Sequence, residues 1–165
     1  MKKLKLLIWI SVLVIIDSSL TQYISVFGIS PMLVYAFLIC TSVREEDFTT
    51  AVLAGGICGI FSGALVGQSF FLTFMCFCIS AAAANLLRTH PAYLPKTAKS
   101  MIFCFIFSLP CAALLYLDGG IALTPKILYS VVLPSAIYNT AAAAVIYPLL
   151  GKTIYNRETA KKLIM

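Results

Sequence analysis

The chain of 165 residues is 61% hydrophobic, and its 12 Lys and Arg against 6 Asp and Glu give a formal net charge of +6. Soluble domains are only about 45–50% apolar, so this composition excludes an ordinary soluble fold. A transmembrane helix needs about 20 apolar residues, which leaves room for six crossings and for no separate soluble catalytic domain. We expect an all-α integral membrane protein, with residues 1–165 forming a single six-helix transmembrane domain.

Six apolar segments follow one another along the chain, and the charges between them predict the orientation. If both termini are cytoplasmic, eleven of the twelve basic residues lie in cytoplasmic loops or tails, and only Lys126 lies outside. Cytoplasmic loops collect Lys and Arg, so the pattern predicts cytoplasmic termini and a basic cytoplasmic tail over 151–165. The positive charge is explained by orientation and by contact with membrane lipids, and we expect no nucleic-acid partner. The predicted spans are 4–26, 31–43, 48–66, 69–87, 100–117 and 126–149.

The first segment carries Lys2, Lys3 and Lys5 ahead of the apolar run from Leu6 to Ile16, an arrangement also found in secretory signals. No A-x-A-like cleavage site follows, so an uncleaved helix is expected. Asp17 is the one acid well inside a span, where an acid is costly and often functional. It is either a site residue or a hydrated residue near the outer end of the helix.

The second segment is too short to cross a membrane alone. Pro31 to Val43 covers only ~20 Å at ~1.5 Å per residue, and Ser30 followed by Pro31 is typical of a helix start. We therefore expect this helix to begin below the outer surface. Irregular backbone at that depth needs a cavity or protein around it, and we predict that Asp17 and Gln22 line such a cavity.

Glycines recur every four residues down the third segment, at Gly55, Gly59, Gly63 and Gly67. They form one bare stripe on which another helix can approach closely. The stripe predicts a helix contact, either within the chain or with a partner protein. The short connection that follows, 67–69, predicts an antiparallel pair of the third and fourth helices.

The sixth segment carries a proline and a polar strip. Pro134 cannot donate to the carbonyl of Ser130, so a kink is expected there. Ser135 and Asn139 share a face at i, i+4, with Tyr138 beside them, and should face inward. We predict that Pro134, Ser135, Tyr138 and Asn139 make helix contacts, with substrate binding as the alternative for Asn139.

Motifs for metal, nucleotide or nucleophile chemistry are lacking in the sequence. Its six cysteines fall inside predicted spans, form no C-x-x-C pair and are interpreted as small buried side chains. We expect no enzyme activity, no cofactor and no bound metal.

Several of these segments resemble the MreD family of rod shape-determining membrane proteins. The resemblance rests on Leu133-Pro134-Ser135-Ala136-Ile137-Tyr138-Asn139, on Tyr147-Pro148-Leu149-Leu150, on Gly28-Ile29-Ser30-Pro31 and on the Gly55-x-x-x-Gly59 segment, in the family's order and over nearly the whole chain. Asp17 matches an acid common in the family's first span. Two other acids of the family fall on Met32 and Gly63 here, so their roles do not carry over.

The resemblance implies a non-catalytic scaffold of the bacterial cell-elongation complex in the inner (cytoplasmic) membrane. Its partner would be an MreC-like bitopic protein, and indirectly MreB, RodA and a class B penicillin-binding protein. The implied fold is similar to the substrate-binding components of energy-coupling-factor vitamin transporters, so such a component is the alternative function. Those components dock through small-residue faces on the first span, whereas the first span here is bulky.

Overall fold

The computed structural model describes residues 2–24, 32–66, 69–90, 93–120 and 123–151, and within them the side chains of all but residues 2–5, 20–24 and 65–66. These stretches form helices and contain no strand. The prediction of an all-α protein with six helices is therefore confirmed for the described part of the chain. The helices are α1 (Lys2–Ile24), α2 (Leu33–Arg44), α3 (Phe48–Val66), α4 (Phe70–Leu86), α5 (Lys96–Asp118) and α6 (Pro125–Leu150).

Three of these helices are long and apolar enough to cross a membrane. They are α4 with the 3₁₀ turn that extends it to Thr89, then α5, and then α6. Shorter apolar helical stretches lie in α1, α2 and α3. The composition and these three helices indicate a membrane protein. The helix bounds lie close to the predicted spans, and the largest difference is at the start of α5, which begins at Lys96 instead of residue 100.

The short helix α2 lies at the centre of the bundle. It has only 12 residues, or ~18 Å at ~1.5 Å per residue, which is much less than the ~30 Å of a bilayer core. Every residue from Val34 to Val43 is buried, and α2 contacts all five other helices. A helix that is apolar on all sides and shorter than the membrane is stable here because its neighbours surround it.

Two helix pairs enclose α2. Helices α3 and α4 form an antiparallel pair in extensive contact, and α5 packs along α6 in the same way. Near its beginning α6 widens into a π-helical turn over Leu128–Val132, directly before Pro134. A proline removes one backbone donor, and an inserted π turn is a common way for a helix to accommodate the lost bond.

The first and last helices meet at one end of the bundle. Trp9 and Leu13 of α1 line the same groove as Leu149 and Leu150 of α6. The beginning of α1 and the end of α6 therefore lie on the same side. Arg44 at the end of α2 also reaches this side, where it contacts Tyr147. We name this side of the bundle the basic end.

Candidate functional site at the two ends of α2

The amino end of α2 is held by side chains from two other helices. The backbone N–H of Leu33 donates to Oδ1 of Asp17 in α1 at 3.0 Å. The N–H of Met32 donates to Oδ1 of Asn139 in α6 at 2.8 Å. The first N–H groups of any helix lack intrahelical partners, and leaving them unsatisfied inside a membrane costs several kcal/mol each. Asp17 and Asn139 therefore cap a helix that begins inside the bundle.

This arrangement gives Asp17 a role that the sequence did not suggest. The residue at the cap position of α2 is Met32, whose side chain makes no capping hydrogen bond. An acid is favourable at this place because the amino end of a helix carries partial positive charge. The predicted cap Ser30, the side chain of Gln22 and Gly67 lie outside the described residues.

Asn139 is fully buried and joins three helices. Its Oδ1 accepts from the backbone N–H of Met32 at the start of α2, and its backbone carbonyl accepts a hydrogen bond from Sγ of Cys104 in α5 at 3.3 Å. Its Nδ2 is buried without a hydrogen-bond partner among the described groups. Ser135, one turn earlier, is also buried, and Pro134 and Tyr138 are half-buried. The polar strip of α6 thus lies in the contact with α2 and α5.

The first turn of α2 makes another polar contact, through Tyr35. The hydroxyl of Tyr35 donates to Oγ of Ser80 in α4 at 2.9 Å, and the Tyr35 ring meets the Phe77 ring edge-on with centroids 5.1 Å apart. Both side chains are fully buried. This hydrogen bond satisfies a phenol that would otherwise be costly to bury.

At the basic end, Arg44 connects α2 to the end of α6. Its guanidinium lies 4.0 Å above the centroid of the Tyr147 ring, and its Nη2 donates to the carbonyl of Tyr147 at 3.0 Å. The carbonyl of Tyr147 lies in the last turn of α6, and the carboxyl end of a helix carries partial negative charge. A positive side chain there is stabilising, and its position over an aromatic face adds a cation–π contact.

The loop after α2 is fixed by α4. Nδ2 of Asn85 donates to the carbonyls of Ser42 and Glu45, at 3.0 and 2.8 Å. Nη1 of Arg88 also donates to the carbonyl of Glu45, at 3.1 Å. Asn85 thus holds the backbone at the end of α2 and in the loop that follows.

Lys99 differs from its predicted position in a cytoplasmic loop. It lies in the first turns of α5, is only 5% exposed, and its Nζ donates to the carbonyl of Arg88 at 2.8 Å. The apolar segment begins after this residue, so hydropathy alone placed the helix start too late. A buried lysine whose ammonium reaches a carbonyl ties α5 to the end of α4.

The glycine stripe of α3 lies against α4. A Cβ built on Gly55 would lie 3.0 Å from Cβ of Ala81, one on Gly59 would lie 2.8 Å from Cα of Phe74, and one on Gly63 would lie 3.1 Å from Cα of Phe70. Real Cβ atoms essentially never approach as closely as at Gly59, and the distances at Gly55 and Gly63 are tighter than nine in ten real Cβ contacts. Of the two possibilities left by the sequence, the structure has the stripe in a contact within the chain.

All six cysteines are free thiols, and five of them are buried. Among the residues that the structure describes, no group of three or more His, Cys, Asp or Glu side chains is placed to hold a metal ion. The polar groups that could do chemistry instead lie at the ends of α2, where they bond its backbone and that of its neighbours.

Comparison with protein-family models, with curated proteins and with solved structures finds no match to this chain. The resemblance to MreD proteins stays a prediction from the residues quoted above.

Proposed function

We propose that this protein is a non-catalytic membrane scaffold of the bacterial cell-elongation complex. In this proposal the six helices lie in the cytoplasmic membrane with both termini in the cytosol, and an MreC-like bitopic protein binds the bundle from within the bilayer. MreB, RodA and a class B penicillin-binding protein would join through that partner. The observation that carries the proposal is the ordered series of segments, with Leu133 to Asn139 and then Tyr147 to Leu150 in the last helix, in a chain with six helices.

The arrangement of the two ends supports the proposed orientation. Trp9 and Leu150 line one groove, so the beginning of α1 and the end of α6 lie on the same side. An even number of crossings has this property. Residues 2–5 and 152–162 supply seven of the twelve basic residues, all on this side in the proposed topology, and the cytoplasmic side is where Lys and Arg collect.

The hydrogen bonds of the buried polar side chains support a scaffold function. Asp17 and Asn139 cap α2, Asn85 bonds the loop after it, and Tyr35 bonds Ser80. Each contact fixes one helix against another. Polar groups that bridge helices in this way hold the arrangement of a membrane bundle, and a rigid bundle is what a partner needs as a docking surface.

A partner would bind the exposed faces, because α4 covers the glycine stripe. A photo-crosslinking amino acid can replace Ile15, Ile79, Ile106 or Ile137, which are 63%, 66%, 51% and 54% exposed on four different helices. We expect one of these probes to capture the transmembrane segment of an MreC-like protein. The control probe replaces Tyr93, which is exposed in the loop before α5, and should not capture it. Failure of all four probes would contradict the proposed partner.

The alternative is a substrate-binding component of a vitamin-type transporter, and one observation favours it. Nδ2 of Asn139 is buried without a hydrogen-bond partner in the described part of the chain, beside Oδ1 of the same side chain at the amino end of α2. Against it, the described part of α1 exposes the bulky side chains Leu7, Ile8, Val12 and Ile15. A vitamin retained on purification, and lost in Asn139→Ala, would favour the transporter.

A further inference from the structure

A groove between α1 and α6 is lined only by apolar side chains. Phe37 of α2 forms its floor, since that ring is 1% exposed, and Leu149 at the rim is 50% exposed. The groove is open along its rim and has a cavity volume of about 60 Å³. We name it the α1–α6 groove, and its lining residues are Trp9, Leu13, Phe37, Ile146, Leu149 and Leu150.

The width of the groove selects its occupant. Its cavity volume is only about 60 Å³, whereas a helix with its side chains is about 10–12 Å wide. A partner helix could therefore rest on the rim but could not enter. A lipid acyl chain is narrower than a helix, is fully apolar and surrounds the protein in a bilayer. The lining matches such a chain.

The positively charged side chain of Arg44 lies at the basic end of the groove. Arg44 follows Phe37 by seven residues, close to two helical turns, so both lie on the same face of α2 with Arg44 about 10 Å nearer the basic end. Its guanidinium is held there by the ring and carbonyl of Tyr147. In the sequence, Lys5 precedes Trp9 by one turn of α1. Arginine suits phosphate because its planar fork matches phosphate oxygens.

From this juxtaposition we propose that the α1–α6 groove binds one anionic phospholipid of the leaflet at the basic end. One acyl chain lies over Phe37 between α1 and α6, and the phosphate lies near Arg44. The apolar lining supplies affinity for the chain, and the charge selects anionic over zwitterionic headgroups. The proposal does not depend on the scaffold function, since the site is built from the bundle alone.

The protein contains its own reporter for this site, because Trp9 is the one tryptophan in the chain. The full-length protein is reconstituted in phosphatidylcholine vesicles that contain a small fraction of either phosphatidylglycerol or phosphatidylcholine with brominated acyl chains. Bromine quenches tryptophan fluorescence on contact. We expect brominated phosphatidylglycerol to quench Trp9 with about fivefold higher apparent affinity, the factor expected for one basic residue near an anionic surface. About 1 M salt should remove most of this preference.

Variants test whether the preference for phosphatidylglycerol arises at the α1–α6 groove. Arg44→Gln should remove the preference for phosphatidylglycerol, whereas Lys126→Gln, which removes the same charge at the beginning of α6 and so at the opposite end, should keep it. Because Arg44 also holds α6, a second variant leaves it intact: Leu149→Phe narrows the groove at a half-exposed position and should reduce quenching by both brominated lipids.

Four results would overturn the proposal. Equal quenching by the two brominated lipids in the unaltered protein would exclude anionic selectivity. A preference that survives in folded Arg44→Gln, or quenching unchanged in Leu149→Phe, would place the lipid elsewhere. Trp9 fluorescence that no brominated lipid quenches would show that a protein segment covers the groove.

Discussion

The close packing of α3 on α4 makes a sharp prediction about two glycines of the same helix. At Gly59 an added Cβ would lie 2.8 Å from Cα of Phe74 and 3.2 Å from the carbonyl oxygen of Thr73. These are backbone atoms of α4, so the two helices must move apart. At Gly56 the added Cβ would lie 3.1 Å from Cε2 of Phe74, the far end of a side chain that can turn aside. Alanine should therefore be costly at Gly59 and tolerated at Gly56.

The two substitutions change the free energy of unfolding in the same ways except for this contact. Both replace Gly by Ala inside α3 and gain the same helix propensity, roughly 0.5–1 kcal/mol. Overpacking a close contact costs typically 1–3 kcal/mol. We expect Gly59→Ala to be about 1–3 kcal/mol less stable than Gly56→Ala, and Gly59→Leu to prevent a folded bundle.

The measurement is unfolding of the purified protein in mixed micelles as the denaturing detergent fraction is raised, followed by the loss of helical circular dichroism and by Trp9 fluorescence. The free energy of unfolding of each variant is compared with that of the unaltered chain. Gly59→Ala and Gly56→Ala of equal stability would refute the stripe as a tight intrachain contact.

Three further predictions concern the hydrogen bonds that fix α2. Asp17→Leu should destabilise the bundle by about 0.5–2 kcal/mol, the usual cost of a lost cap, and Asp17→Asn should keep most of the stability because an amide oxygen can still accept from Leu33; equal loss in both would argue against capping. Asn85→Ala should cost about 1–3 kcal/mol, because the carbonyl of Ser42 loses the bond from Asn85 and the carbonyl of Glu45 keeps only the bond from Arg88; hydrogen exchange in the loop after α2 should rise, whereas unchanged exchange would contradict this role. Tyr35→Phe should cost about 0.5–1.5 kcal/mol through the bond to Ser80; the double variant with Ser80→Ala should then add little, and full additivity of the two losses would refute the pairing.

The helices themselves could be predicted from the sequence because their signals are local. Apolar runs separated by charges, or by short segments with Gly or Pro, predicted all six helices, and the distance from Pro31 to Val43 indicated that α2 is short. The four-residue spacing of glycines predicted a close helix contact, and Gly67 to Ser69 implied that α3 and α4 pair. Each of these properties depends on residues that are near one another in the chain.

The contacts that hold α2 could not be predicted because they join distant parts of the chain. Met32 and Asn139 are 107 positions apart, and no local pattern pairs them. The stacking of Arg44 on Tyr147 and the buried position of Lys99 were likewise missed, since a basic residue at the end of an apolar segment is explained by orientation alone. The sequence marked Asp17 as unusual because an acid is costly in a membrane. Its partner could not be predicted, because that partner is a backbone N–H, which every residue except proline has.

The proposed scaffold function is tested most directly by depleting this protein in its rod-shaped host while cell shape is followed by microscopy. The account predicts that the rods widen and become round as the protein is lost, and that expression of the unaltered chain restores them. Rods that keep their shape through depletion, while uptake of a vitamin fails, would contradict the account and favour the transporter.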